Sequence, residues 1–566
     1  MPRILQFVGE LKRRRVFRVV AAYAVFAFVV WQAADFVIPA ARLPDWVSTL
    51  TLILTILGFP VALVLAWLFD ITPEGVKRTG PEKARQVGER PAALPGVAGQ
   101  RSIVVLPFDN LSPDPGDTYF ADGLTEEIIT DASCCGLLRV VSRNSAVALK
   151  GKLKDTRTIA EELDVQYVLE GSVRKAGDDL RITAQLIDAR ADEHIWAEKY
   201  SGTLQDVFAL QEQVSQSILD ALRLQLDLEE TPRLAGGPVG ATRASETLDV
   251  AAYDAYLRGR FLWNQRAESA LEQSLECFAS AIERDPSFAL AHAGRADSYV
   301  TLGVYGARPP GEVMEAAREA AAAALDIDPT LARALTARAC VKALYDWDWA
   351  AAEADFRAAL EHDPEYATGH QWYANYVLVP LRRFDEAQRQ LEHAAQLEPL
   401  SSAVAASRGV LEYFNRDYER ALAEYESARN LHPHFGLIHL FIGECLVAMG
   451  RHNEALQALR TAAEFTSESS EALAALGHGL AVSGNAGEAA AILERFEARA
   501  REAYVSPVLA AQVLTGLREH SAALVKLEEA AAQRASDLVW SAVRPVFDPI
   551  RSEPEFVELT RTIGLV

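Results

Sequence analysis

The sequence predicts a multidomain chain: an N-terminal two-helix transmembrane hairpin, a small α/β domain and an all-α superhelical solenoid. Three observations predict it. Two long apolar runs fall within the first 70 positions, strand-like alternation fills the segment after residue 100, and a 34-residue period runs through the second half of the 566-residue chain. Half of the residues are hydrophobic and 24% are charged, a balance that supports packed cores and excludes a disordered chain.

The hairpin rests on residues 17–70, after a basic N-terminus of residues 1–16. Phe17 to Ile38 is almost wholly apolar over 22 residues, and Val47 to Phe69 carries no charge over 23. Each is long enough to cross about 30 Å of hydrocarbon as a helix. Trp31, Trp46 and Trp67 lie toward the ends of the runs, where amphipathic rings prefer the interface. Asp35 lies within about one turn of the end of its run, where a carboxylate reaches the headgroups. Arg3, Lys12, Arg13, Arg14 and Arg15 precede the first run and Lys77, Arg78, Lys83, Arg85 and Arg90 follow the second, with only Arg42 between. Positive flanks stay in the cytoplasm. The expectation is a multi-pass protein of a bacterial inner membrane, in contact with lipid through residues 17–69, with everything after residue 70 in the cytoplasm. A cleaved signal peptide fits less well, because the first run exceeds a usual signal core and a second run follows. Residues 71–100, rich in Pro, Gly and charge, read as a linker.

The α/β domain is expected over 101–226. Ser102 to Pro107 is a β-branched apolar run, read as a buried strand. Asn110 to Asp117 is a Pro, Gly and Asp loop, and Asp122 stands where it could cap a helix containing Leu124, Ile128 and Ile129. Leu138 to Ser142 reads as a strand and Thr158 to Leu163 as a short helix. Tyr167 to Arg174 and Leu180 to Asp188 flank Lys175, Ala176, Gly177 and Asp178 as a hairpin. Leu180, Ile182, Ala184 and Leu186 alternate onto one face. His194 to Tyr200 adds a strand, and Asp206 to Leu226 forms a helix with Val207, Leu210, Val214, Ile218 and Leu222 in one stripe.

The runs SIVVLPFDNLS, YFADGLTEEIIT, LRVVSR, VQYVLEGSVRKAGDDLRITAQLIDAR and HIWAEKY resemble, in order and spacing, the TolB amino-terminal-like domain over about residues 101–226. That resemblance implies a small α/β fold, a family that in bacteria is often joined to repeats and, upstream, to a nucleotide cyclase or a DNA-binding module. Neither module fits before Phe17, so any signalling output would lie in a partner. The polar candidates for chemistry here are Asp109, Asp122, Glu126, Glu127, Glu170 and His194. Adjacent carboxylates on a helix point about 100° apart and share one cleft poorly. No phosphate-binding loop, nucleophile elbow or zinc-helix motif is present, so no catalytic residue, cofactor or metal ligand is assigned.

After a Gly, Pro and Thr-rich linker (227–250), prolines 286, 329, 364, 399 and 433 recur at intervals of 43, 35, 35 and 34 residues. Gly409, Gly443 and Gly477 recur every 34, as do Ala421, Ala455 and Ala489; Ala428 and Ala462 supply a second small position and Tyr425, Leu459 and Leu493 a large one. Small residues let paired helices approach, large ones fill the groove beside them, and proline ends the second helix. The pattern resembles the tetratricopeptide repeat. About eight helical pairs are expected over 251–535, with an insertion near Gly303 to Gly311 and a C-terminal cap over 536–566. Stacked pairs curl into a concave groove of the kind that takes peptides or helices of partner proteins. Trp263, Trp347, Trp349, Trp372, Tyr373, Tyr376, Tyr413 and Tyr418 are its aromatic residues, and Trp372, Tyr376 and Tyr413 are the expected partner anchors. His362, His370, His393, His432, His434 and His439 lack metal-ligand spacing.

Net charge is −22; with 12 Lys/Arg against 7 Asp/Glu in the first 100 residues, the remaining chain carries −27. Such a body repels nucleic-acid phosphates, so no nucleic-acid partner is expected. Five scattered cysteines, including the adjacent Cys134 and Cys135, give neither a disulfide framework nor a zinc site. The sequence thus predicts a non-catalytic, membrane-anchored scaffold with protein partners in its groove and self-association as a further contact. The alternative is a signal-transduction receptor controlling a separate cyclase or transcriptional regulator.

Overall fold

The computed structural model describes residues 69–72, 75–78, 102–134, 139–141, 156–163, 165–189, 191, 193–225, 247, 249–399, 401–431 and 436–565. The two apolar runs expected to span a membrane lie outside the described residues. Among the described residues, no helix is long and apolar enough to cross a membrane.

Residues 1–98 form one unit, of which a small antiparallel sheet is described. Strands β1 (Phe69–Thr72) and β2 (Gly75–Arg78) pair with Phe69 opposite Arg78. The sequence places these residues at a span end and in the linker over 71–100. Four-residue strands are too short to show a period.

In the second unit, residues 99–566, a mixed sheet runs in the order β5-β3-β6-β7-β8, with the short β4 also on β6. Its strands are β3 (Ser102–Val105), β4 (Asp109–Asn110), β5 (Arg139–Val141), β6 (Tyr167–Ala176), β7 (Asp179–Asp188) and β8 (Glu193–Thr203). The helices are α1 (Thr118–Cys134), α2 (Thr156–Leu163) and α3 (Val207–Gln225). Strand β3 is buried throughout because both faces are covered: Ile103 and Val105 meet α1 and α3, while Val104 meets Ile159 and Leu163 of α2. Along β7, Leu180, Ile182, Ala184 and Leu186 point into the same core, as their alternation requires. Asp122 is not a cap. Helix α1 begins at Thr118, so Asp122 sits in its second turn, buried.

Eight antiparallel helical pairs follow: α4 (Val250–Asn264) with α5 (Glu268–Arg284), α6 (Ala289–Val304) with α7 (Pro310–Ile327), α8 (Ala332–Val341) with α9 (Trp349–His362), α10 (Ala367–Tyr373) with α11 (Phe384–Leu397), α12 (Ser402–Phe414) with α13 (Tyr418–Leu431), α14 (Gly436–Ala448) with α15 (His452–Phe465), α16 (Ser470–Val482) with α17 (Ala486–Arg499), and α18 (Pro507–Gly516) with α19 (His520–Ala532). The small-large register explains the packing. A Cβ at Gly409 would lie 2.4 Å from the Tyr425 ring, and one at Gly443 2.4 Å from Leu459. At Gly477 the facing residues are Val513 and Ile492, not the expected Leu493. The seventh pair therefore packs one position out of the sequence register.

Each first helix ends in a left-handed residue, at Arg266, Gly306, Trp347, Arg382, Arg416, Gly450, Gly484 and Arg518. Glycine accepts this conformation freely, whereas a side chain costs about 1–2 kcal/mol. Helices α8 and α10 each run on into a π-helical turn, Lys342–Asp346 and Ala374–Leu378. The residues after α19 form two 3-10 turns, Ser536–Trp540 and Pro545–Ile550, and a last helix, α20 (Pro554–Thr562).

Candidate functional site: the concave face of the repeats

The first helices of the pairs line the inner face, and the last segment of the chain lies against it. Beyond covering α19, it reaches back to the third through sixth pairs. Trp540 packs on Tyr376 with ring centroids 5.9 Å apart, and its Nε1–H donates to the Asn375 carbonyl at 2.9 Å. That carbonyl is available for a specific reason. In the π turn, Val379 N–H bonds to the Ala374 carbonyl instead, and the next candidate donor, residue 380, is a proline. The indole supplies the missing donor.

Charged groups fix the rest. Arg544 donates to Glu444 of α14 at 2.9 Å, with both side chains largely buried. Arg416 donates to the Val543 carbonyl at 2.6 Å and to Asp548 at 2.6 Å; Arg382 donates to the Ala542 carbonyl at 2.9 Å; Arg534 donates to the Tyr345 carbonyl at 2.9 Å. Arg382 and Arg416 are left-handed turn residues, so their backbone strain coincides with side chains that hold this segment. Trp349 Nε1–H donates to the Ile563 carbonyl at 2.8 Å.

Of the three expected anchors Trp372 and Tyr376 are in contact, and all three are buried. Trp372, Tyr376 and Tyr413 are 4%, 9% and 5% exposed. Trp372 packs between Trp263 and Tyr376. Tyr413 packs on Phe414 and Tyr418, and burial pushes its phenol well above the ordinary range, helped by Glu444. The second and seventh pairs come close where a Cβ added at Gly306 would lie 3.6 Å from the Glu471 carboxylate. Burial raises the Glu471 carboxyl to about 7, and burial lowers the His478 imidazole on the same helix to about 4. Sequence reasoning passed over Glu444, Arg416 and Glu471, and placed Trp540 in the C-terminal cap without a role on the inner face.

The polar candidates of the α/β domain do not share a cleft. Glu126 faces the repeats, where Arg260 approaches it at 3.2 Å and Arg333 at 3.9 Å. Both arginines also approach Asp297, at 3.5 and 3.8 Å. Asp297 is fully buried, and burial raises its carboxyl to about 6 against the pull of Arg333 and Arg260. Glu127 turns instead to Gln211 of α3. Glu170 pairs with Gln185, Asp109 lies exposed on β4, and His194 is exposed on β8. Tyr119 completes the seam by donating to Asp254 of α4 at 2.6 Å. The apolar core is continuous across it: Phe120, Leu124 and Ile128 share a cluster with Tyr256, Leu257 and Phe278. His370 sits within hydrogen-bond distance of Gln390 and the Pro364 carbonyl. Among the described residues, no group of three or more His, Cys, Asp or Glu side chains is arranged to hold a metal ion.

Residues 415–479 match the tetratricopeptide repeat family model. The chain carries tetratricopeptide repeats. Residues 99–217 match the model of the second domain of HilA/YgeH-like transcriptional regulators, over the span in which the sequence suggested a TolB-like domain. A relative described as putative adenylate cyclase 3 of Rhizobium meliloti (strain 1021) is 44% identical over 206 residues, 36% of this chain and 33% of that protein. The match thus spans about a third of that relative's length. Among solved structures, Pseudomonas aeruginosa pilF is 22% identical, covering 37% of this chain and 93% of its own, with a TM-score of 0.28. A human IFIT1 dimer with m7Gppp-AAAA is 15% identical, covering 62% of this chain and 77% of its own, with a TM-score of 0.40.

Proposed function

We propose that this tetratricopeptide-repeat chain is a non-catalytic scaffold, anchored in a bacterial inner membrane through residues 17–69, that binds partner proteins at the concave face of its repeats. The α/β domain serves as an assembly or ligand-sensing module, in the manner its TolB-like sequence suggests. The observation that carries this reading is the array itself, stacked helical pairs whose inner face already holds a chain segment through Tyr376, Asn375, Arg416 and Glu444. Its fusion to the α/β core through Glu126, Arg260, Asp297 and Arg333 supports a sensing role, because a change in one domain reaches the other through a buried charge network.

The test uses the full chain in lipid nanodiscs. Incubated with ATP or GTP and divalent metal, it should form no cyclic nucleotide. A partner found by photo-crosslinking in cells should bind again as a purified protein, saturably, and Glu444→Arg should weaken that binding. Cyclic nucleotide formed by the purified chain would overturn the non-catalytic reading. Reporters active only in the cytoplasm or only in the periplasm, fused at Val566, test the orientation.

A second reading is favoured by the similarity to a putative adenylate cyclase and to a transcriptional-regulator domain. In it, the chain receives a signal and controls a separate cyclase or regulator. Deleting it should then shift cellular cyclic nucleotide or target transcripts; unchanged levels across growth conditions would count against this reading.

A further inference from the structure

The segment 536–551 has two faces. Leu538, Ala542 and Phe547 pack with α18 and α19, whereas Val539, Trp540 and Val543 pack into the core of the array. The second face behaves like a bound ligand. It is held at fixed points: the indole on the Asn375 carbonyl, Arg544 on Glu444, and two main-chain carbonyls on Arg382 and Arg416. Main-chain carbonyls held by side chains, with a few side-chain anchors between, are how a groove reads a peptide.

The seam is also imperfectly paired. Buried polar atoms with no hydrogen-bond partner within the chain include Ser536 Oγ, Ser541 Oγ and Arg544 Nε on the segment, and Trp347 Nε1 and Asn375 Oδ1 on the array. Permanently buried polar groups are normally satisfied, each orphan costing about 1–3 kcal/mol. The five atoms on this seam therefore weaken it relative to a fully paired contact of the same size. The segment itself consists of short 3-10 turns, which carry little helical stability of their own.

We propose that residues 539–548 are a built-in competitor for the groove. The true occupant is then a partner-protein segment of the same order, a tryptophan-like aromatic followed four residues later by arginine and four later by an acid. The groove reads it with Tyr376 and the Asn375 carbonyl, then Glu444, then Arg416. This rests on the reading of the concave face as a protein-binding surface, and it explains why Tyr376 is covered here: displacing Trp540 uncovers it.

The experiment measures binding of a fluorescent peptide of residues 534–552 to the full chain. Wild type, with its groove occupied, should bind weakly. The W540A/R544A variant, checked for folding by circular dichroism, should bind about tenfold or more tightly, because the competent state is no longer masked. Adding E444R should return affinity to the wild-type level. A folded W540A/R544A chain that binds no better than wild type would overturn the proposal. A second measurement needs no variant: in wild type, amides of 541–551 should exchange by local opening, ahead of those in α14 and α16. Exchange only together with those helices overturns it. Mass that doubles with concentration in wild type but not in W540A would assign the groove to a second copy and overturn the partner assignment. A verified partner indifferent to W540A and R544A counts against this inference alone. Peptide binding to the opened groove in a chain with no partner counts against the scaffold alone.

Discussion

Arg416 offers a quantitative test of how the concave face is held. Its backbone is left-handed, at φ 70°, and its guanidinium donates to Val543 and Asp548. Arg518 ends α18 with the same backbone, at φ 63°, and among the described residues no hydrogen bond or ion pair holds its side chain. Glycine at either position removes a left-handed penalty of about 1 kcal/mol. At Arg416 it also removes a charged hydrogen bond to a carbonyl, about 1.5–3 kcal/mol. The Asp548 pair, at 33% and 44% side-chain exposure, adds at most about 1 kcal/mol. Arg416→Gly should therefore destabilise the seam by about 1–3 kcal/mol, and Arg518→Gly should stabilise its turn by up to about 1 kcal/mol. Repeat arrays do not unfold in one step, so the assay is local: amide exchange of 541–551 by mass spectrometry. Arg416→Gly should accelerate it about 5- to 150-fold, and Arg518→Gly should leave it unchanged. Equal exchange in the two variants would refute the reasoning, because it would mean the arginine contacts contribute nothing beyond turn strain.

Three further outcomes follow from the same structure. Gly409→Ala, which would place a methyl 2.4 Å from Tyr425, should destabilise its pair by about 1–3 kcal/mol, read by amide exchange in α12 and α13, whereas Gly487→Ala, exposed with nothing within 4 Å, should leave exchange in α17 unchanged or slow it by up to about 1 kcal/mol. Glu471 holds its proton in the folded state up to about pH 7, above its ordinary 4.5, so its contribution to stability falls as pH rises between those values. Glu471→Gln should then lessen the stability lost between pH 5 and pH 8, by about 1–3 kcal/mol; an unchanged loss would show that the carboxyl is hydrated. Arg260→Ala leaves Asp297 and Glu126 short of a cation at a buried seam and should cost about 3–5 kcal/mol, read as a lower melting temperature of the full chain.

Much of this fold was legible because its signals are local. Leu180 through Leu186 alternate because one face of β7 is buried, and the period of 34 persists because each pair repeats one packing problem. Legibility failed where the deciding contact lies far along the chain. Nothing near Tyr376 in sequence shows that Trp540 will cover it, so an aromatic on an inner helix reads as an available anchor. Asp122 looked like a cap because it stands just before the apolar positions Leu124, Ile128 and Ile129, whereas the helix opens a turn earlier at Thr118. Pro380 was visible as a helix breaker, yet its effect on the Asn375 carbonyl needs the π turn to be seen. Leu493 kept the 34-residue spacing while the seventh pair shifted its packing to Ile492 and Val513.

The shared cluster of Phe120, Leu124 and Ile128 with Tyr256, Leu257 and Phe278 closes one end of the array, and the segment after α19 closes the other by folding inward. A solenoid with open ends can gain or lose a unit by duplication or deletion, since each unit meets only its neighbours. Here an inserted pair would rotate the last helices away from Asn375, Arg416 and Glu444, and a deleted one would drive them past. The number of units is therefore set by closure, and this array should diversify through residues on its inner face while its length stays fixed.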